Sequence, residues 1–470
     1  MNSPGKVVTA TDASYRGLSF WHDSVPGSLT PRAALQHDEQ ADIAIIGAGY
    51  TGLWTAYYLK QQQPSLRIIL LESEIAGYGA SGRNGGWCSA FLSNIERWFA
   101  DPGHRAGAVR LQKLMFDTVR EVGEVAQRES IDCHYEHSGA LEVAVNPAHL
   151  QRLKAELASA RDLGFGEDDF RPLTAAETTQ RMNIDGALGG LLISHCAAIH
   201  PARLARGLAV ALEKMGVRIF EQSPVLSVDG RVVRTPHARV TAETVILATE
   251  GYSRDLPGLK RRLVPMHSMM VATEPLSQEQ LRAINFQQRF VFGNYDRLVT
   301  YGQVTADQRI AFGCRGMYRF GSAITHRFAA GDPCFDFIRN TLVRFFPALK
   351  GIAFTHAWGG SMGVSRRLSP SVNYDPRTGQ AWAGGFFGNG VGATHLAGKT
   401  LADLVLRQDT ERVHTPWVNP LDDRKKWEPE PLRWLGISAM AKLMHQVDRV
   451  EYATGRTPLL RNWILERLLS

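Results

Sequence analysis

The residues best placed to do chemistry form a glycine pattern that begins at Gly47. Gly47, Gly49 and Gly52 fit GxGxxG, and Glu72 follows at the end of the next apolar run. Gly47 allows a tight turn, Gly49 lets the backbone approach a pyrophosphate, and Gly52 lets a helix pack closely on a strand. A carboxylate at Glu72 can accept both hydroxyls of an adenosine ribose and argues against a 2′-phosphate. The pattern therefore predicts a dinucleotide site.

Three local elements must position these residues. Residues 43–46 are an apolar run with β-branched side chains, which predicts a strand, and residues 53–60 continue with helical periodicity. Residues 67–71 predict a second strand that ends at Glu72. Strand, tight turn, helix and strand in this order begin a nucleotide-binding fold.

A second glycine-rich run, GASGRNGGWC, follows at residues 79–88. A flexible glycine loop would not account for Arg83 and Asn84 inside it. Together with the first pattern, this run resembles the FAD-dependent amine and amino-acid oxidoreductases of the D-amino-acid oxidase and sarcosine oxidase superfamily, and within it the γ-glutamylputrescine oxidoreductase-like members. By the order of motifs, the resemblance covers roughly residues 15–412.

The resemblance implies that the cofactor is FAD. It implies that Ala80 and Ser81 face the pyrophosphate, that residues 84–87 run beside the isoalloxazine ring, and that the Val225 backbone contacts adenine. The strand at residues 244–251 is expected to end beneath the cofactor. The predicted cofactor contacts are Gly47, Gly49, Tyr50, Thr51, Gly52, Glu72, Ser73, Ala80, Ser81, Arg83, Asn84, Gly85, Gly86, Trp87, Val225, Ala248, Gly251, Gly360, Gly388, Asn389, Gly390 and Val391.

Two further expectations concern how FAD is held. The helix that begins near Gly390 carries about half a positive charge at its N-terminus. In the resembling family this end points at the flavin N1 and C2 carbonyl. Relatives that attach flavin covalently use a cysteine in the C-terminal block, but the last cysteine here, Cys334, precedes that block. Non-covalent FAD is therefore expected.

The predicted sheet that crosses the flavin supplies the candidate catalytic residues. His267 is the histidine expected to face the ring, and Tyr301 is expected to form an aromatic wall. Related sequences often carry an arginine where Gln303 stands, so a relative's substrate does not carry over directly.

Arginines near this sheet suggest that the substrate carries an anionic group. Arg366 and Arg367 follow WGGSMGVS, which lines the cavity in the resembling family, and Arg315 ends a strand of the facing sheet. Adjacent side chains on an extended chain point opposite ways, so one of the two arginines is expected to face the cavity. Arg366 is the favoured one and is assigned a catalytic role. Gln303, Arg315, Trp358 and Arg367 are the predicted substrate-binding residues.

Length and composition limit the other possibilities. A chain of 470 residues exceeds what a single core usually supports, so two domains are expected. The net charge of +7 comes from scattered basic residues, which argues against nucleic-acid binding. The five cysteines show neither metal-ligand spacing nor a disulfide framework, which favours reduced thiols, no metal and a cytoplasmic protein. No long apolar run predicts a transmembrane segment.

The predicted fold class is α/β (α+β), a doubly wound Rossmann-like FAD domain interrupted by a mixed β-sheet substrate domain. An arm at residues 1–40, anchored by Trp21, precedes an FAD-binding domain of residues 41–132, 196–256 and 351–412. Residues 133–195 and 257–350 form the substrate domain. A helical tail at residues 413–470 is expected to dock on the body, with membrane-surface or subunit contact as the alternative.

This fold and cofactor predict oxidation of a primary or secondary amine or amino acid. The expected imine product hydrolyses to an aldehyde or keto acid, and oxygen becomes hydrogen peroxide. One alternative is a dehydrogenase that passes electrons to a quinone or carrier protein. Another is a non-catalytic flavoprotein that serves as an assembly partner. GGSMG at residues 359–363 fits GxSxG on its own, but HExxH does not occur, so a zinc-peptidase function has no support.

Overall fold

Two β-sheets of eight strands each form the framework of a computed structural model, which describes residues 11–286, 288–418 and 425–469. Residues 1–10 of the predicted arm, residues 419–424 and 470 of the predicted tail, and Gln287 lie outside this description. The strands are β1 (Glu39–Ile46), β2 (Ile68–Leu71), β3 (Trp87–Ser89), β4 (Ala140–Ala144), β5 (Phe170–Thr174), β6 (Gly189–Ile193), β7 (Cys196–Ala198), β8 (Arg218–Phe220), β9 (Ser227–Asp229), β10 (Val232–Arg234), β11 (Arg239–Leu247), β12 (Leu263–Thr273), β13 (Val291–Asn294), β14 (Thr300–Val304), β15 (Ile310–Met317), β16 (Phe354–Ser365), β17 (Ser371–Asp375) and β18 (Gln380–Gly384).

Helices cover the sheets and form both ends of the described chain. They are α1 (Asp12–Arg16), α2 (Phe20–Asp23), α3 (Tyr50–Gln62), α4 (Ala80–Arg83), α5 (Glu96–Ala100), α6 (Arg105–Arg128), α7 (Pro147–Asp162), α8 (Ala175–Arg181), α9 (Pro201–Lys214), α10 (Gln278–Ala283), α11 (Asp336–Phe345), α12 (Gly390–Val405), α13 (Leu432–Thr454) and α14 (Leu459–Leu469).

The first sheet has the parallel core that the glycine pattern predicts. Its strand order is β17-β18-β11-β1-β2-β8, and β1 pairs in parallel with β2 on one side and β11 on the other. Strands β1 and β2 are almost wholly buried, because helices α3, α9 and α12 pack over one face. This architecture confirms the predicted fold class.

The second sheet has the order β16-β12-β15-β14-β13-β4-β6-β5. Directly paired residues in neighbouring strands carry their side chains on the same face of a sheet. One row of such pairs crosses all of its strands: Trp358, Met270, Gly313, Tyr301, Gly293, Glu142, Leu191 and Pro172.

One predicted domain boundary is corrected. Residues 351–412 were expected to belong wholly to the cofactor domain, but β16 pairs with β12 from Phe354 to Ser365 and is therefore an edge of the second sheet. The first sheet resumes only at Ser371, where β17 begins. Gly359 and Gly363 lie in β16, and a Cβ on either would approach a neighbouring side chain closely.

The arm and the tail both pack on the body. Trp21, in α2, is 1% exposed, so it anchors the arm as predicted. Helix α13 docks on the turn between β13 and β14, where the Asp448 carboxylate accepts the N–H groups of Arg297 (2.8 Å) and Leu298 (3.0 Å). Glu451 in the same helix pairs with Arg152 at 2.6 Å.

The cysteines all carry free thiols, and Cys88, Cys133, Cys196 and Cys314 are buried. Across the described ranges, no helix combines the length and the apolar character that crossing a membrane requires.

Candidate active site

A cavity of about 760 Å³ lies between the two sheets. One end is lined by residues that follow β1, β2 and β11, which are neighbours in the first sheet. The other end is lined by residues of β4, β12, β14 and β15 in the second sheet. Ligands of open α/β sheets bind at the carboxyl ends of the strands, so the first end has the position expected of a nucleotide site.

Glycine is required at two positions of the turn after β1. Gly47 has φ +105°, and a Cβ there would lie 2.6 Å from the Ala248 carbonyl oxygen. A Cβ on Gly52 would lie 2.0 Å from the Gly47 carbonyl oxygen, because α3 packs directly against the turn. The Tyr50 N–H donates to Ser81 Oγ at 2.8 Å, which joins this turn to the second glycine-rich run.

Glu72 ends β2 and lines the same end of the cavity. Its carboxylate accepts the N–H groups of Ala48 (2.8 Å) and Glu74 (3.0 Å), and these two bonds fix its orientation. Burial nevertheless raises the pKa of Glu72 to about 7. A carboxylate that is held in place by these donors and still faces the cavity fits a ligand that brings hydroxyl groups, as a ribose does. Val225 and Ser73 line the cavity nearby.

Three side chains from separate elements hold the loop at residues 83–85. Trp358 Nε1 donates to the Arg83 carbonyl at 2.9 Å, Trp21 Nε1 to the Asn84 carbonyl at 2.8 Å, and Gln303 Nε2 to the Gly85 carbonyl at 2.9 Å. Asn84 Oδ1 also accepts the N–H of Gly86 at 2.7 Å. The backbone of this loop is therefore fixed before any ligand binds.

The start of α12 forms another part of the lining. Gly388, Asn389, Gly390 and Val391 all line the cavity. No side chain caps this helix N-terminus, so its partial positive charge is available to a ligand. The Glu250 carboxylate accepts the N–H of Phe386 at 3.0 Å, which holds the preceding turn, and burial raises the pKa of Glu250 to about 7.

The second sheet contributes Ser268, Tyr301 and Arg315 to the opposite wall. The hydroxyl groups of Ser268 and Tyr301 are hydrogen-bonded to each other. Arg315 donates to the Phe387 carbonyl (3.2 Å) and to Asn389 Oδ1 (3.0 Å). Within the described residues, no carboxylate oxygen lies within 4.0 Å of its guanidinium, and burial lowers the pKa of Arg315. The wall therefore presents a partly buried cation with no anionic partner within ion-pair distance among the described residues.

The structure does not place His267 in the cavity. Successive side chains of a strand point to opposite faces, and Ser268 is the one that lines the cavity. The pairing of β12 with β15 also shifts between these two residues. His267 is fully buried, its Nε2 accepts the Thr325 N–H at 2.9 Å, and desolvation lowers its pKa to about 4. The expectation that it faces the flavin is corrected.

Arg366 and Arg367 also lie outside the cavity lining. Arg366 pairs with Glu428 at 2.9 Å, and its guanidinium lies 5.4 Å from the ring centroid of Trp427. Glu428 and Trp427 belong to the tail, so the predicted anion-binding residue instead holds the tail. The expected role in binding an anionic group fits Arg315 alone among the three arginines.

Two predicted substrate contacts and three predicted cofactor contacts are packing residues behind the lining. Gln303 and Trp358 hold the 83–85 loop, as described above, and do not reach the cavity. A Cβ on Gly86 would lie 1.9 Å from Gln303 Nε2, and one on Gly251 would lie 3.0 Å from Ser361 Oγ. Gly52 likewise packs against Gly47. The other predicted cofactor contacts line the cavity, together with Tyr301 and Arg315.

Several residues that line the cavity are not predicted from the sequence, among them Glu96, Glu142, Ser268, Asn294 and Thr300. The sequence does indicate that Glu142 is unusual, because it is a charged residue inside the otherwise apolar strand ALEVA. Ser268 had no signal, since its exposure to the cavity depends on the local register of β12.

A family model described as FAD dependent oxidoreductase matches residues 42–404. The chain belongs to this family. As an FAD-dependent oxidoreductase of the amine and amino-acid oxidase type, it has a cavity whose donors and acceptors suit the cofactor: the glycine turn, the oriented Glu72 carboxylate and the uncapped start of α12.

Relatives agree with this membership. The oxidoreductase is 30% identical over 410 residues to gamma-glutamylputrescine oxidoreductase of Escherichia coli, covering 84% of this chain and 90% of the relative. It is 30% identical over 388 residues to the probable oxidoreductase OrdL of Haemophilus influenzae, covering 79% and 84%. Its fold is similar to that of glycine oxidase from Geobacillus kaustophilus, with a TM-score of 0.65 and 20% identity over 79% of this chain and 96% of that one.

Proposed function

We propose that this oxidoreductase oxidises a primary or secondary amine or amino acid that carries an anionic group, and that oxygen is reduced to hydrogen peroxide. The observation that carries the proposal is Arg315, a partly buried cation in the cavity wall with no carboxylate oxygen within 4.0 Å among the described residues. A buried charge is costly unless it is paired, so a substrate carboxylate or phosphonate that enters the cavity would supply the missing partner.

FAD, when bound, supplies the ring that accepts the two electrons and the hydrogen lost from the carbon next to the substrate nitrogen. The residues of the chain bind, orient and enclose the substrate. Tyr301 forms an aromatic wall beside Gly85, where a Cβ would lie only 2.4 Å from the Tyr301 ring. Its hydroxyl is held by Ser268, so the ring has a fixed orientation. Such fixed positioning accounts for part of a rate enhancement without a proton-transferring side chain.

We infer that FAD is held without a covalent bond and that the protein is cytoplasmic. Cys88 and Cys314 are next to cavity-lining residues in the sequence, but neither of them lines the cavity. Free thiols throughout the chain suit a reducing compartment. Acid precipitation should release the yellow cofactor into the supernatant; flavin retained in the pellet would contradict non-covalent binding.

The experiment that tests this function begins with anaerobic addition of amines to the FAD-loaded protein. An amine with a carboxylate group should bleach the oxidised flavin band, and readmitted oxygen should yield hydrogen peroxide in stoichiometry with the substrate consumed. Bleaching without peroxide would indicate an electron carrier as acceptor, whereas failure of every amine to bleach the flavin would sink the proposal.

Arg315→Met removes the charge of this side chain but keeps much of its apolar length, so it tests binding of the anionic group with little effect on packing. The variant loses the binding free energy of a charge-assisted hydrogen bond. The apparent KM for the acidic amine should therefore rise by about ten- to a hundredfold. The KM of the uncharged analogue should change little. Arg366→Ala is the matched control, because this arginine pairs with the tail and lies outside the cavity.

A further inference from the structure

We propose that Glu142 forms a subsite for a second, non-reacting ammonium group, so that the substrate carries one more cationic group than the amine that is oxidised. This proposal rests on the proposed function and names the class of amine that the cavity accepts. It is carried by the position of Glu142 in the sheet, the space around its carboxylate and the absence of a partner among the described residues.

Sheet register aims Glu142 into the cavity. Tyr301 pairs with Gly293, and Gly293 pairs with Glu142, so the two side chains lie on the same face with a glycine between them. Glu142 is the one residue of β4 that keeps appreciable accessible surface, and it lines the cavity. The cavity thus continues past the Tyr301 wall to this carboxylate, which lies over Gly293.

Gly293 provides the room for the carboxylate. A Cβ at this position would lie 2.7 Å from Glu142 Oε2 and 2.9 Å from Oε1. A side chain of any other residue at position 293 would therefore displace the Glu142 carboxylate. The carboxylate lies over β13, which is one strand spacing, about 5 Å, from β14. A ligand ammonium bound there would therefore lie next to the Tyr301 wall, a few bonds from the reacting nitrogen.

The Glu142 carboxylate has no partner within the protein. In the described part of the chain, no donor is hydrogen-bonded to it and no basic nitrogen lies within 4.0 Å of it. Glu96 also lines the cavity, and Glu156 lies behind the wall, where its carboxylate accepts the Tyr295 hydroxyl at 2.9 Å. Neither forms an ion pair within the described residues. Two acidic side chains, Glu96 and Glu142, thus line the cavity, and Glu156 lies behind its wall, while Arg315 and Arg152 are the cations nearby.

An ammonium ligand would stabilise the ionised form of the Glu142 carboxylate more than water does. Burial raises the pKa of Glu142 well above its usual range, with a further contribution from Glu156 and an opposing one from Arg315. An ammonium group that enters the cavity favours the ionised carboxylate and forms a charge-assisted hydrogen bond with it. Once an ammonium has stabilised the ionised Glu142, this carboxylate and Arg315 would together accept a substrate that carries an ammonium and a carboxylate besides its reacting amine.

The test compares pairs of amines that differ by one ammonium group. The first pair is 1,4-diaminobutane and n-butylamine; the second is L-lysine and 6-aminohexanoate. Each is titrated anaerobically into the FAD-loaded protein, and its dissociation constant is read from the change in the flavin spectrum. In at least one pair, the amine with the additional ammonium should bind about ten- to a hundredfold more tightly.

Variants assign this preference to Glu142. Glu142→Gln should abolish it, Glu142→Asp should restore it in part, and Gly293→Ala should weaken it because the new Cβ displaces the carboxylate. Glu156→Gln is the matched control, since it removes a nearby charge behind the wall and should keep the preference.

Two results would overturn the subsite. One is the absence of any preference for the additional ammonium in both pairs. The other is equal weakening of both members of a pair by Glu142→Gln, which would indicate that Glu142 acts on the reacting amine. Either result can occur while other amines still bleach the flavin, so failure of the subsite is distinguishable from failure of the proposed function.

Discussion

Trp21→Phe tests whether the N-terminal arm controls cofactor binding. The Trp21 indole lies in α2, far from the glycine pattern in sequence, yet it donates its hydrogen bond to the Asn84 carbonyl in the 83–85 loop. Phenylalanine keeps most of the ring contacts with Phe20 and His200, whose ring centroids lie 4.9 and 5.0 Å away. The substitution therefore removes the hydrogen bond and little else.

The expected magnitude follows from the carbonyl that is left without its donor. An unsatisfied buried polar group costs about 1–3 kcal/mol. If this cost is borne by the ordered loop, the dissociation constant for FAD should rise by about five- to a hundredfold, since 1.4 kcal/mol is a factor of ten. Trp358→Phe removes the neighbouring bond to Arg83 and should have a similar effect.

The assay is titration of the cofactor-free protein with FAD, followed by the quenching of flavin fluorescence, with thermal unfolding measured in parallel. Trp434→Phe is the control, because Trp434 is 38% exposed in the tail. The reasoning is refuted if Trp21→Phe melts at a lower temperature but binds FAD within about twofold of the parent protein. In that case the hydrogen bond would stabilise the arm without ordering the loop.

Two further predictions concern the cofactor. The pKa of Glu72 is about 7 without ligand, and ribose hydroxyls favour the ionised form, so FAD affinity should rise with pH up to about 7 and level off above it. Each pH unit below 7 should cost up to about tenfold, and Glu72→Gln should show a flat profile in the same titration. Gly390→Val should lower the flavin midpoint potential by on the order of 10 to 40 mV, because the added branches move the positive end of α12 away from the ring. A Cβ at Gly390 meets no protein atom closer than 3.7 Å, so the helix would move only where the valine branches contact the bound ring, and an unchanged potential in the FAD-loaded variant would count against this placement.

The nucleotide end of the cavity could be predicted because its determinants are local. Gly47, Gly52 and Glu72 act through a single strand–turn–helix–strand unit, and each glycine meets a steric limit set within or beside that unit. The alternation of small residues and apolar runs in the sequence carries this information directly. The fold class followed from the same unit and from the order of the later motifs.

The substrate end could not be predicted because its determinants are long-range. Whether His267 or Ser268 faces the cavity depends on the register of β12 against β15, which shifts between these two residues. The partner of Arg366 is Glu428, 62 residues later in the chain, and the local sequence WGGSMGVSRR does not predict this ion pair. Glu142 was visible as a charge within an apolar strand, but only its pairing with Gly293 reveals that it faces the cavity.

Helix α13 lies beyond residue 404, where the family match ends, yet it reaches the substrate end of the cavity. Tyr452 accepts the side-chain amide of Asn294, a cavity residue, and Asp448 holds the following turn. A substitution in α13 could therefore move a side chain that lines the cavity while every residue of the nucleotide end stays the same.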